Sequence, residues 1–283
     1  MRAEGLPVYA EVALIMGSKP FYSSKDRRVA IYRADAVAFL QGLDADSVDV
    51  IVTDPAYSGM NQQLKLGRGK IIGRYKDAGQ AGAKWFSEFH DTEENYRVFL
   101  EECYRVLRMD THIYLMFDSY SLLTLGPVVR EIFQMKNIVC WDKANIGLGH
   151  YFRRRHEFIV FASKGKRPLN HKSIPDVWKI RRIVRAAYPT QKPTEVFEMM
   201  LRGSAVAGSV VCDPFMGSGS SAIAALRCGC SFVGGDISPR AMEFSRERIE
   251  GFMAGRGDIY QAGSQLSDDG VIGELLSKGS FTP

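Results

Sequence analysis

Two short segments hold the residue types that chemistry on a small polar group requires. The first, Asp54-Pro55-Ala56-Tyr57, closes a β-branched run that ends at Thr53. It sets a carboxylate, a rigid Pro and an aromatic ring at a strand's carboxyl end, where open α/β sheets build their active sites. The second is Asp213-Pro214-Phe215-Met216-Gly217-Ser218-Gly219-Ser220-Ser221, a Gly-containing turn between the apolar run Val210-Val211-Cys212 and a helix expected to start near Ser220. Glycines let a backbone approach a ligand closely, and N–H groups and hydroxyls at a helix start suit an anionic group. The turn lacks the Lys-Ser/Thr of a phosphate loop and the full dinucleotide spacing, which argues against ATP and a nicotinamide. Asp236 follows 23 residues after Asp213, at the end of another β-rich run. An acid there accepts from ribose hydroxyls, so a nucleoside-bearing ligand is expected. The plainer reading is that Asp54-Pro55 is an ordinary turn and that Asp213 and Asp236 cap strand ends.

Positioning these residues requires a sheet. Short β-branched runs recur at 29–33, 48–53, 112–117, 138–141, 157–162, 209–212 and 231–235, with helical stretches between them, an alternating α/β pattern. One helix is expected over 92–107, capped by Asp91 and supported by Glu94, with Tyr96, Phe99, Leu100, Cys103, Tyr104 and Leu107 on its buried stripe. Another is expected from Ser238, with Pro239 at its first position. Two regions break the pattern, at about 58–90 and 163–189, and are read as basic insertions. A main unit over 1–254 and a peripheral tail over 255–283, with a short helix near 271–276, complete the layout.

The net charge of +5 from 37 basic and 32 acidic residues says little about partners, but the distribution says more. Lys164, Lys166, Arg167, Lys172, Lys179, Arg181, Arg182, Arg185 and Lys192 face a single acid, Asp176, in a stretch interrupted by Trp178, Ile183 and Tyr188. Such a stretch suits a phosphate backbone, and residues 65–84 with Arg153, Arg154 and Arg155 are further candidates. Five cysteines without paired spacing argue against a disulfide framework and for a reducing compartment. Cys228 and Cys230 stand too close for a usual zinc pair, and no metal is expected. The apolar 6–17 segment contains Glu11 and has no basic start, and nowhere do eighteen apolar residues run together, so a cytoplasmic, non-membrane protein is expected.

Asp54-Pro55-Ala56-Tyr57 resembles the Asp-Pro-Pro-Tyr signature of amino-methyltransferases, and the 213–219 turn resembles their cofactor motif. The order, catalytic before cofactor, is that of the β-class of S-adenosylmethionine-dependent DNA amino-methyltransferases. The resemblance runs from about 30 to 249 and takes in Trp141-Asp142-Lys143, His156-Glu157 and Thr190-Gln191-Lys192-Pro193. It implies a circularly permuted Rossmann-like fold, with a mostly parallel sheet and helices on both faces. S-adenosylmethionine is the implied cofactor, double-stranded DNA the substrate and a homodimer a common assembly. Asp54, Pro55, Ala56 and Tyr57 become the catalytic loop. Asp213, Phe215, Gly217, Ser218, Gly219 and Ser220 line the cofactor, and Asp236 holds its ribose. Thr190, Gln191 and Lys192 cover its other side, with Asp35 near the adenine. The one departure is Ala56, which removes a φ restraint but keeps the backbone carbonyl. An Asp at the first position favours the N6 amine of adenine; the alternatives are N4 of cytosine, an RNA substrate and a noncatalytic nucleic-acid-binding subunit.

Overall fold

Alternation along the strands decides which side chains face which layer. Val50 and Val52 point to one side of the sheet and Ile51 to the other, as the two-residue period of a strand demands. The computed structural model describes residues 19–55, 92–147, 152–188 and 190–258. In chain order its elements are β1 (Tyr22–Ser23), β2 (Val29–Arg33), α1 (Ala36–Gln41), β3 (Val48–Thr53), α2 (Glu93–Val106), β4 (Leu107–Phe117), α3 (Ser119–Ile132) and β5 (Gln134–Asp142). Then follow β6 (His156–Lys164), β7 (Val177–Lys179), α4 (Thr194–Ser204), β8 (Val210–Asp213), α5 (Ser220–Arg227), β9 (Ser231–Asp236), α6 (Pro239–Gly251) and a π-helical turn, Phe252–Arg256.

The strands form one sheet in the order β1-β2-β9-β8-β3-β4-β6-β5-β7. β2, β9, β8, β3 and β4 are mutually parallel, whereas β6 runs antiparallel to both β4 and β5. Strands from the end of the chain, β8 and β9, thus lie between β2 and β3 from its beginning. Helices α4, α5 and α6 pack on the face carrying Val50, Val52, Tyr114 and Trp141. Helices α1, α2 and α3 pack on the face carrying Ile51, Ile113, Leu115 and Val160. This is the expected α/β class, with a mostly parallel sheet and helices on both faces.

Local chemistry sets the ends. α6 starts as expected: Ser238 caps it by accepting from Ala241 N, with Pro239 in the first turn. α2 starts differently, because Thr92 rather than Asp91 is the cap, accepting from Asn95 N; Asp91 lies outside the described residues. The 163–189 stretch is less irregular than its composition suggests. It contains β7, whose Trp178 is buried and pairs in register with Trp141, and Ile180 beyond it is buried too. Lys164, counted among the basic residues for DNA, ends β6 inside the protein, 6% exposed. Within the expected tail, residues 255–257 are exposed, whereas Asp258 forms a two-bond ion pair with Arg248 that leaves both side chains essentially without solvent. The whole 58–90 region and residues 259–283, including the expected short helix, lie outside the described residues.

Candidate active site

The topology gathers the chemistry at one edge. β3 ends at Thr53, with Asp54 next, and the neighbouring parallel strand β8 ends at Asp213, the first residue of the glycine turn. β9 ends alongside at Asp236, opposite Arg33 of β2. On the other side of β3, β4 ends at Phe117. The antiparallel β6 therefore begins at this same edge, where Phe117 pairs with Phe158 and β5 ends as Asp142 opposite His156.

Asp213 is the joint between the two motifs. Its Oδ1 accepts from Thr53 Oγ1 at 2.8 Å and from Phe215 N at 3.0 Å, and its Oδ2 accepts from Ser221 Oγ at 2.6 Å. One carboxylate thereby fixes the end of β3, the glycine turn and the first turn of α5. Burial pushes its pKa up to about 7 despite these three donors. Within the turn, Gly219 caps α5 in the left-handed region at φ +76, and an added Cβ there would meet the Ser245 Cβ at 3.1 Å. Both conditions call for glycine.

Asp236 closes the turn from the other side, accepting from Gly217 N at 3.0 Å and Ser238 N at 2.8 Å. Its carboxyl lies above its ordinary value because burial outweighs those two donors. A carboxylate offers about four acceptor positions, so Asp236 retains capacity for a ligand's hydroxyls. An added Cβ at Gly217 would find nothing nearer than the Phe215 carbonyl at 3.9 Å, so the space over the turn is open. An acid with spare acceptors beside an open glycine turn fits the ribose and amino-acid ends of S-adenosylmethionine. Phe215 is half-buried, with its ring edge-on to Phe99 at 5.4 Å between centroids. Asp35 lies at the same edge as the exposed cap of α1, accepting from Val37 N and Ala38 N.

The Thr190-Gln191-Lys192 segment lies against both motifs. Ser220 Oγ donates to the Lys192 carbonyl at 2.7 Å, while the Lys192 ammonium donates to Asp54 Oδ2 and stands 3.6 Å from Glu157 Oε2. Gln191 is buried and Thr190 exposed. Burial pushes the Asp54 carboxyl up; Lys192 draws it down, Glu157 pushes it up again, and the net direction is upward. Burial also acts on Glu157, but there Lys192 and Lys143 prevail and its pKa is lowered. Against burial, the Asp54 and Glu157 carboxylates hold the Lys192 pKa above its ordinary value. Pro55 is buried behind Asp54, and Ala56 and Tyr57 lie outside the described residues.

Residues 48–247, well over half of the chain, match the family model described as DNA methylase. The chain belongs to that family. A relative, the Type II methyltransferase M2.DpnII of Streptococcus pneumoniae, is 25% identical over 83% of this chain and 94% of its own length. Among solved structures, the M1.HpyAVI complex with S-adenosylmethionine superposes at TM-score 0.55, with 19% identity over 78% of this chain and 99% of that one. The cytosine-N4-specific PvuII DNA methyltransferase superposes at 0.62, with 14% identity over 92% and 93%. At these identities the two structures speak for the fold alone.

Three features of this candidate site in the DNA methylase chain escaped the sequence reading. Arg248, fully buried, donates to the Ser218 carbonyl at 3.0 Å, to Ser220 Oγ at 2.9 Å and to Thr194 Oγ1 at 3.1 Å, and so ties the glycine turn to the start of α4. Ser220 is thereby held from two sides, and Ser218 is buried beside it. Tyr188, read only as an apolar interruption, packs its ring on Phe244 of α6; burial and the nearby Asp236 push its pKa up to about 12. Glu157 and Lys143 stood only in motif strings with no task. A periodic pattern marks faces of elements; it cannot show that residues 138 positions apart, such as Asp54 and Lys192, meet. Among the described residues, no group of three or more His, Cys, Asp or Glu side chains is arranged to hold a metal ion. No helix among them is long and apolar enough to cross a membrane.

Proposed function

We propose that this chain transfers a methyl group from S-adenosylmethionine to the N6 amine of adenine in double-stranded DNA, with Asp54 as the acceptor that orients the amine. The observation that carries the reading is the Thr53–Asp213 hydrogen bond of 2.8 Å, which joins the acceptor loop to the glycine turn across adjacent parallel strands. Residues 160 positions apart in sequence thus meet at one sheet edge, which supports reading the two motifs as one site. A circular permutation accounts for their order: β8 and β9 supply the cofactor half after β3 has supplied the catalytic half.

S-adenosylmethionine, when bound, supplies a methyl group on a positively charged sulfur. Gly217, Ser218, Gly219 and Phe215 line its place, Asp236 accepts from the ribose, Thr190 and Gln191 cover it, and Asp35 stands toward the adenine. Asp213 and Ser220 act as positioning residues, since their polar atoms are already engaged by the protein. An exocyclic base amine is a weak nucleophile because its lone pair is shared with the ring. Asp54 accepts from one N–H and the Pro55 or Ala56 carbonyl from the other, which favours a more tetrahedral nitrogen as positive charge develops on it. Extruding the base costs roughly a few kcal/mol, and stacking on Tyr57 recovers about 1–3 kcal/mol.

Adenine is favoured because Asp, not Ser, stands first in the loop. The likeness to the PvuII enzyme keeps cytosine N4 as the second reading. Residues 1–254 are read as the methyltransferase unit, working in the cytoplasm and as a homodimer. The test is nucleoside analysis of unmethylated genomic DNA after incubation with the protein and labelled S-adenosylmethionine. N6-methyladenine is expected; N4-methylcytosine would replace the target base in this account.

A further inference from the structure

Four charged side chains alternate in sign at the catalytic edge: Asp54, Lys192, Glu157 and Lys143. Glu157 faces a lysine with each oxygen, Lys143 Nζ at 3.0 Å from Oε1 and Lys192 Nζ at 3.6 Å from Oε2. All four are partly buried, with side chains 18–27% exposed. Lys192 donates to Asp54, whereas its separation from Glu157 exceeds a hydrogen bond. The ammonium thus has one carboxylate in hand and a second within a small movement.

The ammonium holds one of the two oxygens that Asp54 offers a target amine. An amine approaching Asp54 is a donor, as the ammonium is, and Lys192 already occupies Oδ2. Expelling the ammonium without a second acceptor would strand a charge in a partly desolvated site, which is expensive. Glu157 removes that cost, because the ammonium exchanges one carboxylate for another. Lys143 keeps the waiting Glu157 neutralised meanwhile. The sheet fixes this receiver in place: Glu157 is the second residue of β6, in register with Trp141 on β5, one position from the strand's start at the catalytic edge.

Resting on the reading of Asp54 as acceptor, we propose that Lys192 holds the amine's place at Asp54 and that Glu157 receives Lys192 when the target base enters. Glu157 and Lys143 are then positioning residues, and no covalent bond changes in the exchange. This pair differs from a purely structural ion pair, because removing the receiver hurts only while the ammonium is there to be moved.

The experiment uses the full chain, saturating S-adenosylmethionine and unmethylated genomic DNA, with kcat and KM for DNA from labelled methyl transfer and cofactor affinity by calorimetry. Glu157→Gln is expected to lower kcat/KM for DNA by at least about tenfold, the scale of one lost charge pairing, with cofactor affinity within about twofold of wild type. Adding Lys192→Met to Glu157→Gln is expected to restore part of that loss, since nothing then needs displacing. A double variant no better than Glu157→Gln, or a Glu157→Gln indistinguishable from wild type, overturns the proposal. Should Glu157→Gln not fold, Glu157→Asp, which draws the carboxylate back from Lys192, is read by the same criteria with the same Lys192→Met partner. Asp54→Ala separates the two levels, since it leaves no side-chain acceptor: wild-type turnover there removes the acceptor reading itself, whereas lost turnover in Asp54→Ala beside a Glu157→Gln that matches wild type removes only the place-holder.

Discussion

Two lysines sit in ion pairs at opposite edges of the sheet, and their surroundings differ in one respect that matters. Lys164, at the edge where β4 begins and β6 ends, donates to Asp46 Oδ1 at 2.8 Å and to the carbonyls of Tyr104 and Leu107 at 2.9 and 2.6 Å. An ammonium has three protons, and all three are used on acceptors that have no rival. Lys192, at the carboxyl edge, lies between two carboxylates that compete for it. A satisfied lysine is a strut; a contested one can move. The same division runs through the basic 163–189 stretch. Lys166 and Arg167 follow β6 at the far edge, where Lys166 N donates to Asp110. Arg181 and Arg182 follow β7 at the carboxyl edge, exposed, with Arg182 N bonded to the Lys143 carbonyl at 3.4 Å. Six of the nine cations that look alike in sequence therefore fall into two groups, Lys164, Lys166 and Arg167 at one edge and Arg181, Arg182 and Lys192 at the other.

The largest expected effect at the carboxyl edge concerns Asp213. Its folded pKa of about 7 lies above the ordinary 3.8, so between those values the folded state binds the proton that the unfolded state releases. Stability from this group therefore rises as pH falls from about 7 toward about 4, by roughly 2–4 kcal/mol, and is lost as pH rises through 7. Asp213→Asn removes this dependence; urea unfolding of both proteins at pH 5 and pH 8 checks it, and equal slopes would refute the assignment. At the far edge, Lys164→Met should cost about 1–3 kcal/mol by stranding two carbonyls. It should leave methyl transfer per folded molecule unchanged, in contrast to any change at the Lys192 cluster. Smallest is the division of the basic stretch: Arg181→Ala with Arg182→Ala should flatten the slope of log affinity for DNA against log salt by about 1–2, whereas Lys166→Ala with Arg167→Ala should leave it alone. Equal effects from the two pairs would erase the distinction between edges.

The sequence shows what is local. Each β-branched run became a strand, because alternation and side-chain branching are properties of a few neighbouring residues. The start of α6 was legible for the same reason, and the Thr92 cap was missed only by choosing between adjacent capping residues. β7 was hidden because three residues, Val177–Lys179, are too few to show a period, and only its pairing with β5 makes it a strand. The site divides likewise. Asp54, the glycine turn and Asp236 stand at strand ends and could be found there. Arg248 and Asp258 could not, since a charged residue in an amphipathic helix and another beyond it read as solvated surface until the fold buries them together. Asp213 was legible as a member of the turn, but its role as the joint to Thr53 depends on the β3–β8 pairing.

The central claim is that Asp54 orients a base amine beside a cofactor held by the glycine turn. It is tested most directly by single-turnover transfer from labelled S-adenosylmethionine to unmethylated DNA, comparing the cofactor-saturated wild type with Asp54→Ala. The account predicts a loss of transfer of at least about a hundredfold in the variant, with cofactor affinity retained. Transfer at the wild-type rate by Asp54→Ala would contradict it.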